Sequence, residues 1–205
     1  MDVNEINGLL RPFVQLNRKL IEQTSIYIDL ILKWNARVNL TAVRNPQDIV
    51  QRHFGESFFI ATRLLTDEAT ESIIDLGSGA GFPGIPLALF APQAPVTLIE
   101  SNGKKAAFLN EVVRALKLSN VTVFSHRAET YPRTADLVTF RAVENFSKSA
   151  ELAVRLVAPT GRLALMIGAS QLEVAKGSHP QLLWQPSIPV PGSKSRVLLV
   201  AKRLD

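Results

Sequence analysis

The segment Ile73-Ile74-Asp75-Leu76-Gly77-Ser78-Gly79-Ala80-Gly81-Phe82-Pro83-Gly84 decides the fold. An apolar run passes directly into three glycines at alternate positions. That pattern reads as a buried strand, 73–79, that ends in a tight turn. Glycine allows positive φ and lets a ligand approach the backbone closely. A helix starting beyond the loop would present backbone N–H groups. Asp75 stands at the strand end, where a carboxylate either approaches a cationic ligand or orders the loop by accepting N–H bonds.

Outward from this segment the chain alternates strand and helix. Strands are expected at 96–101, 121–125, 135–142 and 161–168, with helices at 104–116 and 146–157. The tail adds strands at 184–190 and 195–203, joined by the turn-like PGSKS at 191–195. The expected class is α/β, with a mostly parallel sheet and an antiparallel edge hairpin. Right-handed crossovers then place a ligand site at the carboxyl ends of the early strands. Before residue 70 the apolar spacing is helical. Leu16, Leu20, Tyr27, Leu30 and Ile31 suit one amphipathic helix; Ile49, Phe54, Phe58 and Leu65 suit another. Asn45 and Pro46 punctuate between them, with Pro at a first helical position. The division expected is a helical extension over 1–50 packed on a main domain over 51–205.

Composition narrows the function. The chain has 205 residues, 46% hydrophobic and 20% charged, enough for a real core. It has no Cys, which excludes disulfides, Cys-ligated zinc, iron–sulfur clusters and a thiolate nucleophile. Three scattered His at no ligand spacing point to no metal. No apolar run approaches a membrane span of ~20 residues, and no signal-peptide pattern opens the chain, so a cytoplasmic protein is expected. Net charge is +5, and residues 150–205 contribute 7 basic against 3 acidic groups. Such an excess is compatible with a polyanionic partner and equally with ordinary solvation. No long exposed apolar stripe is left over, so a monomer is expected.

Two ligands compete for the glycine loop. GAGFPG (79–84) matches the dinucleotide fingerprint, with Glu100 about 20 residues on. D-x-G-x-G-x-G (75–81) matches the pattern of S-adenosylmethionine (SAM) methyltransferases. Asp75 ahead of the glycines, Gly77 closing the strand, and the length of the α/β part fit SAM better. The fold expected is therefore Rossmann-like and SAM-dependent. Asp75, Gly77 and Gly79 are the loop candidates. Glu100, ending the second strand, is placed to accept bonds from both ribose hydroxyls. The loop after the third strand, with Ala128 and Glu129, is a candidate for the adenine.

WNARVNLTA (34–42), RHFGES (52–57), IIDLGSGAGFPGIPLAL (73–89), HRAE (126–129) and FRAV (140–143) together resemble one family. It is the bacterial small-subunit ribosomal RNA guanine-N7 methyltransferase family, also called glucose-inhibited division protein B. The resemblance runs from about residue 25 to the C-terminus. It implies methyl transfer from SAM to N7 of one guanine in 16S rRNA, on naked RNA or on the small ribosomal subunit or its precursor. It implies SAM contacts at Gly77, Phe82, Ala128, Glu129 and Arg141. The sequence departs at Glu56, where Asp is usual, and at Ile167, where a Lys is common.

The implied chemistry agrees with the residues. Guanine N7 has an in-plane lone pair and no proton, so it attacks a sulfonium methyl without a general base. Catalysis then rests on alignment and exclusion of water. The chain lacks both a Cys for attack on a pyrimidine ring and an N-P-P-Y-like segment after the fourth strand. Thr139-Phe140-Arg141-Ala142 stands there instead. Arg141 is the candidate positioning residue at the catalytic site; its blander role is a strand-end salt bridge. Candidates for RNA binding are Arg52, His53, Lys104, Lys105 and Arg196, with Lys202 as a further basic residue. Trp34, Asn39 and Thr41 are expected to pack or order the junction with the helical part. Three other functions compete: a non-catalytic SAM-binding protein of the ribosome, a NAD-dependent oxidoreductase, and a methyltransferase for another RNA or a small molecule.

Overall fold

Short polar side chains open the N-terminal helices. In the computed structural model, which describes residues 1–65, 71–141 and 146–204, Asp2 caps α1 (Val3–Leu10) and Asn17 caps α2 (Arg18–Asn35). Asn45 accepts the amides of Gln47 and Asp48 to start α3 (Pro46–Ile49), with Pro46 at the first helical position. The chain continues through a π-helical turn, Val50–Gly55, into α4 (Glu56–Leu64). The expected second helix is thus broken by one wide turn, and that turn carries Arg52 and His53. Such insertions are frequent at functional sites. The buried face of α2 also differs from expectation. It runs through Ile21, Thr24, Tyr27, Ile28 and Ile31, while Leu16, Leu20 and Leu30 are only half-buried. Thr24 tolerates this because its hydroxyl donates to the Leu20 carbonyl.

The sheet contains β1 (Ile73–Leu76), β2 (Val96–Ile99), β3 (Val121–Phe124), β4 (Ala135–Arg141) and β5 (Val157–Gly168), all parallel. β8 (Arg196–Arg203) adds antiparallel to β5, with β6 (Leu182–Trp184) and β7 (Ile188–Pro189) antiparallel to β8. The order is β3-β2-β1-β4-β5-β8-β6. The expected strand 184–190 is two short pieces, because Pro186 between them has no N–H to give the ladder. The turn 191–195 forms as read, with Gly192 at φ 71°. Connecting helices are α5 (Gly84–Phe90), α6 (Gly103–Ala115), α7 (Phe146–Leu156) and α8 (Leu172–Ser178). The sequence reading included neither α1 nor α8.

Both faces of the sheet are covered. Ile73, Leu98 and Leu137 pack under Tyr27, Phe54, Phe58 and Phe108 from the N-terminal helices and α6. Ile74, Leu76, Val138 and Phe140 pack with Ala153 and Leu156 of α7 and Ala175 of α8. Ile6 and Leu10 belong to the first cluster, so the N-terminal helices share one core with the sheet. Trp34 of α2 donates to Glu111 of α6 at 2.9 Å. The Asn35 side-chain Oδ1 accepts from the amides of Leu40 and Thr41 and so orders the junction. Among the described residues no helix is long and apolar enough to cross a membrane.

One side chain closes the edge away from the site. The Asn120 amide donates to the carbonyls of Ala88, Ala91 and Ala94, at 3.2, 3.3 and 3.0 Å. It thereby satisfies the end of α5 and the turn into β2. Asn120→Ala removes that donor, and we expect a loss of about 1–3 kcal/mol in urea unfolding with the fold retained.

Candidate active site

Three glycines shape the loop after β1, because each needs a left-handed backbone: Gly77 at φ 68°, Gly79 at 56° and Gly81 at 87°. The loop hangs from β2. The amides of Gly77 and Ser78 both donate to the Ile99 carbonyl, at 2.9 and 3.0 Å. A Cβ placed on Gly77 would meet no atom within 4 Å, whereas one on Gly81 would collide with the Tyr27 hydroxyl. Gly77 therefore borders open space, and Gly81 borders packed protein. The Tyr27 hydroxyl donates to the Ala80 carbonyl and pins the loop from the helical side.

Asp75 is buried beneath this loop at 1% exposure. On β1 it points to the same face as Ile73, toward α5. Its Oδ1 accepts from the Thr139 hydroxyl of β4 at 2.9 Å, and its Oδ2 accepts from the Gly84 amide at 3.2 Å. Of the two roles open to it, ordering the loop is the one these contacts describe. Burial pushes its carboxyl up to about 6, while the bonds from Thr139, Ser78 and Gly84 pull the other way.

The open space before Gly77 is a cleft of about 270 Å³ at the carboxyl ends of β1, β2 and β3. Gly77, Glu100, Arg127, Ala128, Glu129 and Leu152 are among its walls. The crossovers from β1 and β4 leave in opposite directions, so this is the crevice expected at a topological switch point. Glu100 already accepts from two amides, Gly79 at 2.9 Å and Asn102 at 2.7 Å. Those bonds orient the carboxylate, whose remaining lone pairs are left for a ligand. Ala128 is buried and Glu129 exposed at the rim. Lys104 and Lys105 begin α6 just beyond Glu100, capped by Asn102.

A second cluster lies at the end of β4. The Arg141 Nη2 donates to the Arg52 carbonyl at 3.1 Å and to Glu56 at 3.2 Å, and its Nη1 meets His53 Nδ1 at 3.2 Å. Glu56 also pairs with Arg196 at the start of β8. The Glu56 side chain is 3% exposed, so its charge is held by two guanidinium groups instead of water. Burial nevertheless raises the Glu56 carboxyl above its usual range. His53 is held down to about 3 by burial first and then by Arg141, Arg196 and Arg52. The Phe82 ring stacks between Tyr27 and His53, with centroids at 5.4 and 5.0 Å, and is 5% exposed. Any contact it makes with a ligand therefore falls mainly to its backbone.

Arg52, His53, Glu56, Arg141 and Arg196 thus converge from three parts of the chain. Asp75, Gly77, Gly79, Glu100, Ala128 and Glu129 form the neighbouring cleft and its support. Lys202 lies elsewhere: it pairs in register with Arg162, at the opposite end of β5 from Gly168 and Arg196. Ala142 and Val143, part of the FRAV segment, lie outside the described residues.

A family model described as GidB, rRNA small subunit methyltransferase G, matches residues 20–186. The chain belongs to this family. The ribosomal RNA small subunit methyltransferase G of Roseiflexus sp. (strain RS-1) is 38% identical over 204 residues, covering 93% of this chain and 86% of that protein. The protein of the same name from Xylella fastidiosa (strain 9a5c) is 37% identical, covering 93% and 91%. Among solved structures, a SAM-dependent methyltransferase from Aquifex aeolicus superposes with a TM-score of 0.62 at 16% identity, covering 81% of this chain and 97% of that one. That similarity shows the fold: a Rossmann-like methyltransferase sheet.

The two departures from the GidB family pattern acquire physical readings. Glu56 has one methylene more than Asp, and its carboxylate spans Arg141 and Arg196. Ile167 is 2% exposed in the core of β5, paired with Val197, a position where a Lys would have to be buried. Three supporting residues escaped the sequence reading. In the sequence Tyr27 reads as core, although a buried tyrosine hydroxyl normally has a partner. Thr139 carries no site signal in the sequence, and Glu56 stands out only as a departure from Asp; their roles come from contacts 64 and 85 residues away.

Asp75 makes stability depend on pH. Its folded value of about 6 lies above the ordinary 3.8, so the native state binds more protons than the unfolded chain between those values. Stability contributed here is therefore fully present below about pH 4 and declines as pH rises through 6, by roughly 3 kcal/mol at most. Asp75→Asn can still accept from Gly84 and donate to Thr139. We expect it to fold and to flatten that decline in urea titrations between pH 4 and 7.

Proposed function

We propose that this chain transfers a methyl group from SAM to N7 of a single guanine in 16S rRNA of the small ribosomal subunit. Family membership supports the reaction class and SAM. The observation that carries the site is the open cleft at Gly77, flanked by the oriented Glu100 carboxylate and by Ala128 and Glu129. The residues fit the cofactor: a backbone without Cβ where a ligand must come close, and carboxylates for ribose hydroxyls and the adenine edge. Bound SAM supplies a methyl group on a sulfonium. The chain would hold guanine N7 in line with that methyl group, so that the N7 lone pair would form the new bond to carbon while sulfur would keep the electrons of the bond it gives up. No proton moves, so the chain's task is alignment.

Arg141 is the positioning group at the junction of cleft and substrate. Two of its donor hydrogens are committed to Arg52 and Glu56 and one to His53. Its other N–H groups are left for the substrate. Beside it runs a groove of about 510 Å³, walled by Phe13 near the N-terminus, by Arg52, and by the turn containing Ser193, Lys194 and Arg196. We read this groove as the path of the RNA backbone, with Lys104 and Lys105 on the far side of the cleft. Phosphate contacts need charge more than exact geometry. The protein acts as a monomer in the cytoplasm, where its ribosomal substrate is; its exposed large apolar side chains, such as Ile26 and Val174, are scattered over the surface.

The deciding experiment offers labelled SAM and small subunits lacking the modification, with naked 16S rRNA alongside. We expect label at one guanine N7; calorimetric SAM binding without label would move the substrate elsewhere. Gly77→Val should lose stability, because a β-branched residue is strained at φ 68°, and the folded fraction should bind no SAM; normal affinity in folded Gly77→Val would remove the site assignment. Arg52→Ala and Lys194→Ala should each weaken RNA binding and reduce the slope of log K against log salt by about 1.

A further inference from the structure

We propose that His53 is a fixed, neutral hydrogen-bond acceptor that positions Arg141, with Thr41 locking its tautomer. The inference rests on Arg141 facing the substrate, as argued above. His53 sits on the π-helical turn with one ring nitrogen on each of two partners. Its Nδ1 lies 3.2 Å from Arg141 Nη1, and its Nε2 lies 2.8 Å from the Thr41 hydroxyl.

Donor and acceptor rules settle the protons. A guanidinium has N–H donors and no acceptor, so Nδ1 must carry the lone pair. The single ring proton then resides on Nε2 and is donated to Thr41 Oγ1. That oxygen also accepts the Val43 amide at 3.1 Å, which aims its lone pairs and orients the hydroxyl. The loop after α2 thus selects one tautomer of a histidine, and that tautomer holds one end of an arginine on β4.

Burial and three nearby cations oppose a second proton and outweigh the Arg52 backbone carbonyl, which favours one. Arg52 on the same turn, Arg141 from β4 and Arg196 from β8 face the ring, and Glu56 from α4 is engaged by two of them. The Phe82 ring covers one side at 5.0 Å. With Nδ1 filled by Arg141, the imidazole has no site to take a proton from substrate. His53 is therefore a positioning residue and not a general base, which agrees with an N7 nucleophile that has no proton to lose. The NLTA and RH segments, with Thr41 and His53 twelve residues apart, act as one unit on Arg141.

The test uses the whole chain labelled with 15N at histidine. Between pH 5 and 8 the His53 signals should show an unprotonated Nδ1 and a protonated Nε2, without titration. A ring that titrates near 6.5, or one protonated at Nδ1, overturns the proposal. This arm needs no activity, so it stands apart from failure of the substrate assignment. The second arm measures methyl transfer. His53→Ala should lower kcat roughly tenfold to a hundredfold, with a smaller change in KM. His53→Asn, whose Oδ1 takes the place of Nδ1, should recover most of it. Thr41→Val should behave like a mild His53→Ala, and Thr41→Ser should be near normal. Equal losses in His53→Asn and His53→Ala, or unchanged kcat in both, would overturn the positioning role.

Discussion

A charge buried beneath a glycine loop holds the centre of this molecule. The Asp75 carboxylate joins β1 to β4 through Thr139 and to the start of α5 through Gly84. It does so at the point where the crossovers diverge and the cleft opens. Burial of that carboxylate is costly unless its oxygens are satisfied, so the backbone around it has little freedom. The loop conformation, the entry of α5 and the register of β1 against β4 are all tied to the same two oxygens. Tyr27 adds a restraint from the helical layer through the Ala80 carbonyl. The cleft is therefore pre-formed by protein contacts and stays open where Gly77 has no side chain.

The charged cluster beyond β4 follows a different logic. Glu56 accepts from arginines of β4 and β8, and the π-helical turn between α3 and α4 delivers a carbonyl and an imidazole to the same guanidinium. Partly buried groups of both signs are stable here because each has a partner, and removing one would strand another. Stiffness is the outcome that matters for a reaction without proton transfer. An arginine restrained by three partners can align a nucleobase without moving to meet it.

How much of this could be read from the residues depended on the range of the interaction. The glycine loop, the strand–helix alternation and the hairpin turn at 191–195 are local patterns, and they appear where the sequence places them. Glu100, Ala128 and Glu129 follow the carboxyl ends of β2 and β3, where a mostly parallel sheet places its ligand site, so their meeting in one cleft was also legible. The face of α2 was not, since helical spacing cannot say which stripe of Leu, Ile, Tyr and Thr meets the sheet. The π-helical turn has no spacing signature, and the expected helix through Ile49 and Phe58 simply absorbed it. The roles of Thr139, Glu56 and Thr41 exist only in three dimensions, because each depends on a partner brought by another element.

The position of β8 has a consequence for how the protein is made. Arg196, one of the two cations holding Glu56, sits at the start of the last strand, and that strand lies in the sheet between β5 and β6. Synthesis proceeds from the N-terminus, so the cofactor cleft can take shape while β8 is still inside the ribosome. Glu56 then waits with Arg141 alone, and the wall around Lys194 does not yet exist. The residues that wall the cleft thus emerge before Lys194 and Arg196, which complete the groove beside it.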